Sequence, residues 1–322
     1  MTEQAFDTAP PGLTDAAAAI AGELTGSRVL KSERVLAGMM TFKCRVMTAG
    51  GHDVMVRFYP PGRTSLVHQE PDLLRLCSDL GMPVPRPIGD SRTGPPAPLA
   101  YVAYPRIAGV TLAQRLPHLD ERQRRLLAED LARHLAGLQQ LGFSGAGELI
   151  SATEALDEEW GVFVDRCMHQ GLDAVREHSL LSPQLIGALE SVVLPGAPEP
   201  AVVTGRLVWG DINFENVLVA DNATVAALID FEGCLSGDPL ATLGYCQAVH
   251  GPSPFFRLLL DASPGAEPGR QRAGIAWYAV LRAMRLARYA HLALPTGRPR
   301  DPLIRILPGL EEAVSILQAA RP

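Results

Sequence analysis

The densest group of chemically able side chains is Trp209-Gly210-Asp211-Ile212-Asn213-Phe214-Glu215-Asn216, followed downstream by Ile229-Asp230-Phe231-Glu232. Asp211 and Asn216 stand five apart behind a glycine, and the run Val217-Leu218-Val219 that follows has strand character. Asp221-Asn222-Ala223 reads as the turn of a hairpin, which sets position 216 opposite position 229 or 230. Opposed residues in such a pair have Cβ atoms about 5 Å apart, so Asn216 and Asp230 are expected to converge. A neutral oxygen and a carboxylate meeting near phosphate oxygens form a partial site for Mg²⁺, an ion that otherwise keeps its waters. Asp211 is left on the loop as the group able to accept a proton. Taken singly, each of these residue types also suits a turn, a strand start or a cap. Their order and context carry the argument.

Several elements must position these groups. Three β-prone runs, Arg28 to Leu36, Thr41 to Met47 and Asp53 to Tyr59, are separated by glycine-containing turns. The third alternates, with Val54, Val56 and Phe58 on one face and Met55, Arg57 and Tyr59 on the other, so Arg57 sits on a strand. A helix from about Glu70 to Gly81 follows, then an extended path enforced by Pro83, Pro85 and Pro87, then a β-like run from Leu99 to Ile107. Beyond Gly109 the period changes. Leu127, Leu131, Leu135, Leu138 and Leu141 mark an amphipathic helix over about 120 to 141. Helical stretches at roughly 154 to 178 and 183 to 193 precede a loop rich in proline and glycine, Pro195 to Pro200. Short strands return at Arg206 to Trp209, Val217 to Ala220 and Thr224 to Ile229, and the remainder reads helical. The expected division is a small, mostly β part over residues 1–105, a five-stranded antiparallel sheet with one helix, and a larger, mostly helical part over 106–322.

In that order these motifs resemble the aminoglycoside phosphotransferase family, whose relatives include choline, homoserine and sugar kinases. The resemblance implies an α+β, bilobal protein-kinase-like fold with a nucleotide-binding N-terminal lobe and a catalytic, substrate-binding C-terminal lobe. By that likeness Asp211 corresponds to the catalytic-loop base that orients the acceptor hydroxyl, and Asn216 and Asp230 to the two Mg²⁺ ligands. Arg57 falls where the family has its phosphate-pairing lysine, and Glu70 where the helix carboxylate holds that cation. Tyr101 to Gly109 resembles the interlobe hinge, so the backbone of Ala103 and Tyr104 would meet adenine. Gly237-Asp238-Pro239 resembles the motif after the second metal ligand. The implied activity is phosphorylation, by ATP or GTP with Mg²⁺, of a hydroxyl on a small molecule such as an aminoglycoside or related amino sugar. A kinase of a primary metabolite and a catalytically silent kinase-like binding module are the alternatives.

The chain departs from the family pattern at identifiable positions. Trp209 replaces the histidine that usually opens the catalytic loop, as it does in a subgroup fused to fatty-acid oxidation enzymes. Arg57 replaces lysine, which exchanges a point donor for a planar fork. Thr242 stands near the place of a second acidic residue, and the first hairpin loop around Gly38 has no Gly-x-Gly-x-x-Gly signature.

Composition narrows the classes further. With 322 residues, 47% hydrophobic and 20% charged, the chain has the make-up of a globular enzyme. Its formal charge of -6 argues against a general nucleic-acid binder and would tolerate a cationic partner. Lysine occurs only at Lys31 and Lys43, with arginine supplying the rest of the basic residues, a bias typical of a GC-rich bacterial genome. The cysteines Cys44, Cys77, Cys167, Cys234 and Cys246 have no paired spacing and read as reduced thiols of a cytoplasmic protein. The stretch Ile275 to Leu294 is interrupted by Arg282, Arg285 and Arg288, which excludes a membrane span there. Those arginines read as a solvated helix face. Gly142 to Ala146 reads as a flexible loop, and His118 and His134 as solvated or core-edge histidines. Asp157-Glu158-Glu159-Trp160 has two readings, an acceptor-pocket wall for a cationic substrate or an acidic helix N-terminus.

Overall fold

The computed structural model describes residues 10–36, 41–157, 159–196, 205–263, 268–290 and 301–320. The loop around Gly38, Glu158 and the end of the Pro195 to Pro200 loop lie outside them. The chain forms two compact units, one of residues 1–109 with Ala226–Glu232, the other of Val110–Val225 with 233–322. The short segment Ala226–Glu232, which sequence order sets in the C-terminal part, therefore belongs with the first unit. Its Leu228 N–H donates to the Pro83 carbonyl at 2.7 Å.

The first unit is built on an antiparallel sheet of five strands in the order β1-β2-β3-β5-β4. The strands are β1 (Val29–Val35), β2 (Phe42–Thr48), β3 (Asp53–Tyr59), β4 (Gly89–Asp90) and β5 (Ala100–Pro105). A helix not anticipated from the sequence, α1 (Leu13–Thr25), precedes them and buries Leu13, Ala17, Ile20 and Ala21 against Phe42, Cys44, Val46, Val54, Val56 and Phe58. Apolar residues at spacings of three and four build that helix face. Covering one side of β2 and β3 leaves their alternate residues, Lys43 and Arg57 among them, on the other side. The expected single helix is thus two: α1, and α2 (Glu70–Asp79), which follows a 3₁₀ segment Pro61–His68. Gly81 at φ 75° ends α2 as anticipated, accepting a left-handed backbone that a Cβ would resist.

The second unit is mainly helical. After β6 (Val110–Thr111) and a single turn α3 (Leu112–Arg115), α4 (Glu121–Leu138) starts at a capping box between Asp120 and Gln123 and buries Leu127, Leu131, Leu135 and Leu138. The segment read as a helix from 154 instead forms β8 (Ala155–Asp157), paired with β7 (Ala146–Leu149), before α5 (Trp160–Glu177) begins. The supposed flexible loop 142–146 likewise runs into the sheet, Gly142 bridging Arg206 and Ser144 bridging Glu154. Strands of three or four residues carry too little alternation to be read from sequence. Then come α6 (Pro183–Val193), β9 (Arg206–Val208), β10 (Val217–Val219), β11 (Val225–Leu228) and β12 (Leu235–Gly237). The chain closes with α7 (Leu240–His250), α8 (Pro254–Ala262), α9 (Pro268–Ala290), α10 (Asp301–Arg305) and α11 (Leu307–Ala319). All five cysteines are free and buried. Among the described residues no helix is long and apolar enough to cross a membrane.

Candidate active site

In the first unit Arg57 is the centre of a buried ionic cluster. It is 2% exposed, on β3, and its fork is fully engaged. Nε donates to Thr41 Oγ1 at 3.1 Å, Nη1 to Glu70 Oε1 at 2.8 Å and Nη2 to Asp230 Oδ1 at 2.9 Å, while Glu232 Oε2 lies 2.7 Å from Nη2. Glu70, the first residue of α2 and also 2% exposed, accepts a second bond from the Tyr59 hydroxyl. The cluster is continued by Arg63, whose Nη1 is 3.3 Å from Glu232 Oε1. Burial opposes the charge on Arg57, but Asp230, Glu70 and Glu232 more than offset it and hold its pKa well above the ordinary value. Burial would raise Asp230 too; Arg57 and Lys43 reverse that and keep its carboxyl below the usual range. Glu232 goes the other way, lifted by burial, which Arg57 does not fully counter.

Asp230 has φ 68°, a left-handed conformation uncommon outside glycine, and its carboxylate is ion-paired with Arg57. The sequence pattern gives no role to Glu232 or Lys43. Lys43 on β2 pairs directly with Arg57 on β3, so the two side chains share a face. Burial and Arg57 lower its pKa, against Asp230, Glu232 and Glu70. Ala103 and Tyr104 lie on β5, opposite Val56 and Met55. The Ala103 carbonyl already accepts the Ile88 N–H at 2.8 Å, within the ladder to β4.

In the second unit the loop after β9 is fixed at both ends. Trp209 is buried, and its backbone N–H donates to Thr242 Oγ1 at 3.1 Å, so the threonine near the expected acidic position supplies a side-chain acceptor there. Position 210 must be glycine, since a Cβ would come within 1.9 Å of the Gly233 carbonyl oxygen. Asn216 Nδ2 donates to the Asp211 carbonyl at 2.9 Å and to Asp211 Oδ2 at 3.1 Å, closing the loop on itself. Phe214 N–H donates to His250 Nε2 at 3.0 Å, and the two rings stack at 3.5 Å.

The arginines of α9 do not form a solvated face. Arg282 Nη2 donates to Asp211 Oδ1 at 2.7 Å, Arg285 Nη1 donates to the Tyr245 hydroxyl at 3.1 Å, and Arg288 Nη1 contacts Cys167 Sγ at 3.3 Å. Helix position alone does not reveal which neighbour a long side chain meets. Asp211 stays 36% exposed with one partner on each oxygen, and a carboxylate so bonded keeps lone pairs for an incoming hydroxyl.

The remaining sequence candidates have structural roles. Asp238 Oδ2 accepts from the Tyr278 hydroxyl at 2.7 Å, and that hydroxyl accepts from Trp160 Nε1 at 3.0 Å, tying the Gly-Asp-Pro motif to α5 and α9. Asp157 is held by both ends of the Arg166 fork at 2.6 and 2.7 Å, and Trp160 is buried. His134 lies 3.3 Å from Asp130 on the same helix. The structure thus gathers Arg57, Glu70 and Asp230 in the first unit and Asp211 and Asn216 in the second.

A small antiparallel-sheet unit built around a buried Arg–Glu pair, and a helical unit bearing an Asp–Asn loop, define the bilobal α+β protein-kinase-like fold of small-molecule phosphotransferases. The chain belongs to the phosphotransferase enzyme family, whose model matches residues 34–302. Solved structures agree on the fold. A thermostable mutant of aminoglycoside phosphotransferase APH(4)-Ia, in ternary complex with ADP and hygromycin B, superposes with a TM-score of 0.68 at 16% identity, covering 95% of this chain and 97% of that one. Macrolide 2'-phosphotransferase MphH from Brachybacterium faecium gives 0.61 at 19% identity, covering 97% and 100%. A proposed fructosamine-3-kinase from Thermobifida fusca YX-ER1 gives 0.59 at 20% identity, covering 94% and 97%. No curated protein sequence matches the chain.

Proposed function

We propose that this phosphotransferase moves the γ-phosphoryl group of ATP to a hydroxyl of a small amine-bearing molecule, an aminoglycoside or related amino sugar. The observation that carries the reading is the loop at Asp211, whose carboxylate is partly exposed yet oriented by Asn216 and Arg282. Phosphoryl transfer needs little covalent help, so the task of Asp211 is to accept a hydrogen bond from the acceptor hydroxyl and aim it in line. The nucleotide is assigned to the face of the first unit's sheet that carries Arg57, with Glu70 holding that cation and the backbone around Ala103 and Tyr104 meeting the base.

The donor chemistry fits Mg²⁺. Asp230 and Asn216 would offer hard oxygen ligands, and Glu232, paired like Asp230 with Arg57, adds a second carboxylate beside Asp230. When bound, the ion would neutralise charge on the phosphates. The expected acceptor class is supported by the hygromycin B complex of one structural neighbour and by the chain's net negative charge. A phosphorylated sugar amine is the second reading, supported by the fructosamine-3-kinase neighbour.

The test is nucleotide consumption by the purified protein with Mg²⁺ across aminoglycosides, macrolides, glycated amines, sugars and amino alcohols. Turnover with an aminoglycoside, with phosphate found on its hydroxyl, is the expected result. Turnover confined to an unaminated sugar or an amino alcohol would overturn the acceptor class, and nucleotide binding without any transfer would favour the silent module.

A further inference from the structure

We propose that Lys43, rather than Arg57, is the cation that meets the polyphosphate of the bound nucleotide, and that Arg57 serves as a buried clamp on the acidic residues. The inference rests on the nucleotide assignment above and departs from the role that the resemblance gives Arg57.

The three nitrogens of Arg57 face Thr41, Glu70, Asp230 and Glu232 at 2.7 to 3.1 Å, and the side chain is 2% exposed. A planar guanidinium cannot turn toward a new anion without abandoning several of these partners at once. Releasing a buried charge from its hydrogen bonds is costly, so Arg57 is fixed where it is.

Lys43 is placed differently. In the β2–β3 register it stands directly opposite Arg57, on the sheet face not covered by α1. It is half-buried, and among the described residues its amine makes no hydrogen bond and no ion pair. A flexible four-carbon stem ending in three donors can reach a phosphate oxygen from there, where the rigid fork of Arg57 cannot. Two further groups of the same cluster are already paired, Glu232 Oε2 with Arg57 Nη2 at 2.7 Å and Arg63 Nη1 with Glu232 Oε1 at 3.3 Å. The cluster therefore has in Lys43 an uncommitted cation suited to an anion, beside the carboxylates of Asp230 and Glu232, whose oxygens suit a metal ion. The formal charges of Lys43, Arg57 and Arg63 balance those of Glu70, Asp230 and Glu232. An anionic ligand entering with its own divalent cation would disturb that balance little.

The test compares wild type, Lys43→Met and Lys43→Arg by calorimetry with Mg²⁺-AMP-PNP and with adenosine, with thermal unfolding of each sample as the folding control. Loss of one charge-assisted contact in Lys43→Met should weaken AMP-PNP binding by about tenfold or more and leave adenosine binding within about twofold. Lys43→Arg should recover part of the loss. The second measurement needs no variant. An acyl phosphate of ATP transfers its acyl group to the amine beside the phosphates, forming an amide and releasing ATP. The chain has only two lysines, and Lys31, on β1 beside Glu33, is the internal control. Acylation of Lys43, and not of Lys31, suppressed by excess ATP is expected. Wild-type binding of AMP-PNP with Lys43→Met unchanged, or with Lys43 left unacylated, overturns the role of Lys43 and leaves the phosphotransferase reading intact. Failure of the wild type to bind AMP-PNP overturns both.

Discussion

Arg282 Nη2 and Asp211 Oδ1 are 2.7 Å apart, an ion pair linking α9 to the loop after β9 across 71 positions of sequence. Arg282 also lies over the Tyr245 ring, with Cζ 5.4 Å from its centroid, so the guanidinium is braced before it reaches the carboxylate. With Asn216 on Oδ2, the carboxylate has little freedom to rotate. Arg282→Met should lower kcat by about tenfold through loss of this orientation, with nucleotide affinity held within about twofold. Steady-state kinetics paired with nucleotide titration reads both numbers. A fall in affinity with kcat intact would show that Arg282 acts elsewhere.

Asp211 itself should matter more. Replacement by Asn preserves size and removes the charge that accepts the acceptor's hydroxyl hydrogen bond, so turnover should fall by about 10²-fold or more. Nucleotide affinity should stay within about threefold. Unchanged transfer by Asp211→Asn to a responsive substrate would remove Asp211 from the reaction.

Asp230→Ala is expected to abolish most of the strengthening that Mg²⁺ gives to nucleotide binding, because the carboxylate assigned to the ion is gone. Asn216→Ala should reduce it less. Calorimetry with and without Mg²⁺ distinguishes them, and equal Mg²⁺ dependence in Asp230→Ala and wild type would refute the ligand assignment.

The Arg57 cluster should be a stability element as well. Removing the guanidinium leaves Glu70, Asp230 and Glu232 without the cation they share, and losing one partner of a buried pair typically costs about 3–5 kcal/mol. Arg57→Ala should therefore shift the urea midpoint far below that of Glu70→Gln, which keeps a hydrogen-bonding partner. Equal midpoints for the two variants would contradict the clamp.

His250 predicts an acid sensitivity. Its Nε2 accepts the Phe214 N–H, which requires the neutral ring, and burial lowers its pKa to about 4. The unfolded chain, with the ordinary histidine value near 6.5, binds the proton first, so this contribution is complete above about pH 6.5 and is lost as pH falls to about 4. The full effect is at most about 3 kcal/mol. His250→Gln should flatten that part of the stability–pH curve; an unchanged slope would mean that other groups set it.

Local pattern was enough to determine a good deal about this protein. The strand carrying Arg57 follows from the alternation of Val54, Val56 and Phe58 with Met55, Arg57 and Tyr59, and α4 from its leucine spacing. The stop of α2 at Gly81 and the glycine-started loop of Asp211 and Asn216 are written in single residues whose backbone demands are specific. Short elements such as β7, β8 and β12 were not legible, because three or four residues cannot display a period and their existence depends on partners far along the chain. Only the tertiary structure decided who meets whom. It set Lys43 opposite Arg57 through the β2–β3 register, brought Asp230 and Glu232 to Arg57 from more than 170 positions away, and turned Arg282 from an apparent surface charge into the partner of Asp211. A charged residue looks alike in sequence whether it faces water or a carboxylate. The difference lies in packing, which makes an unpaired buried charge costly and selects the partner that relieves it.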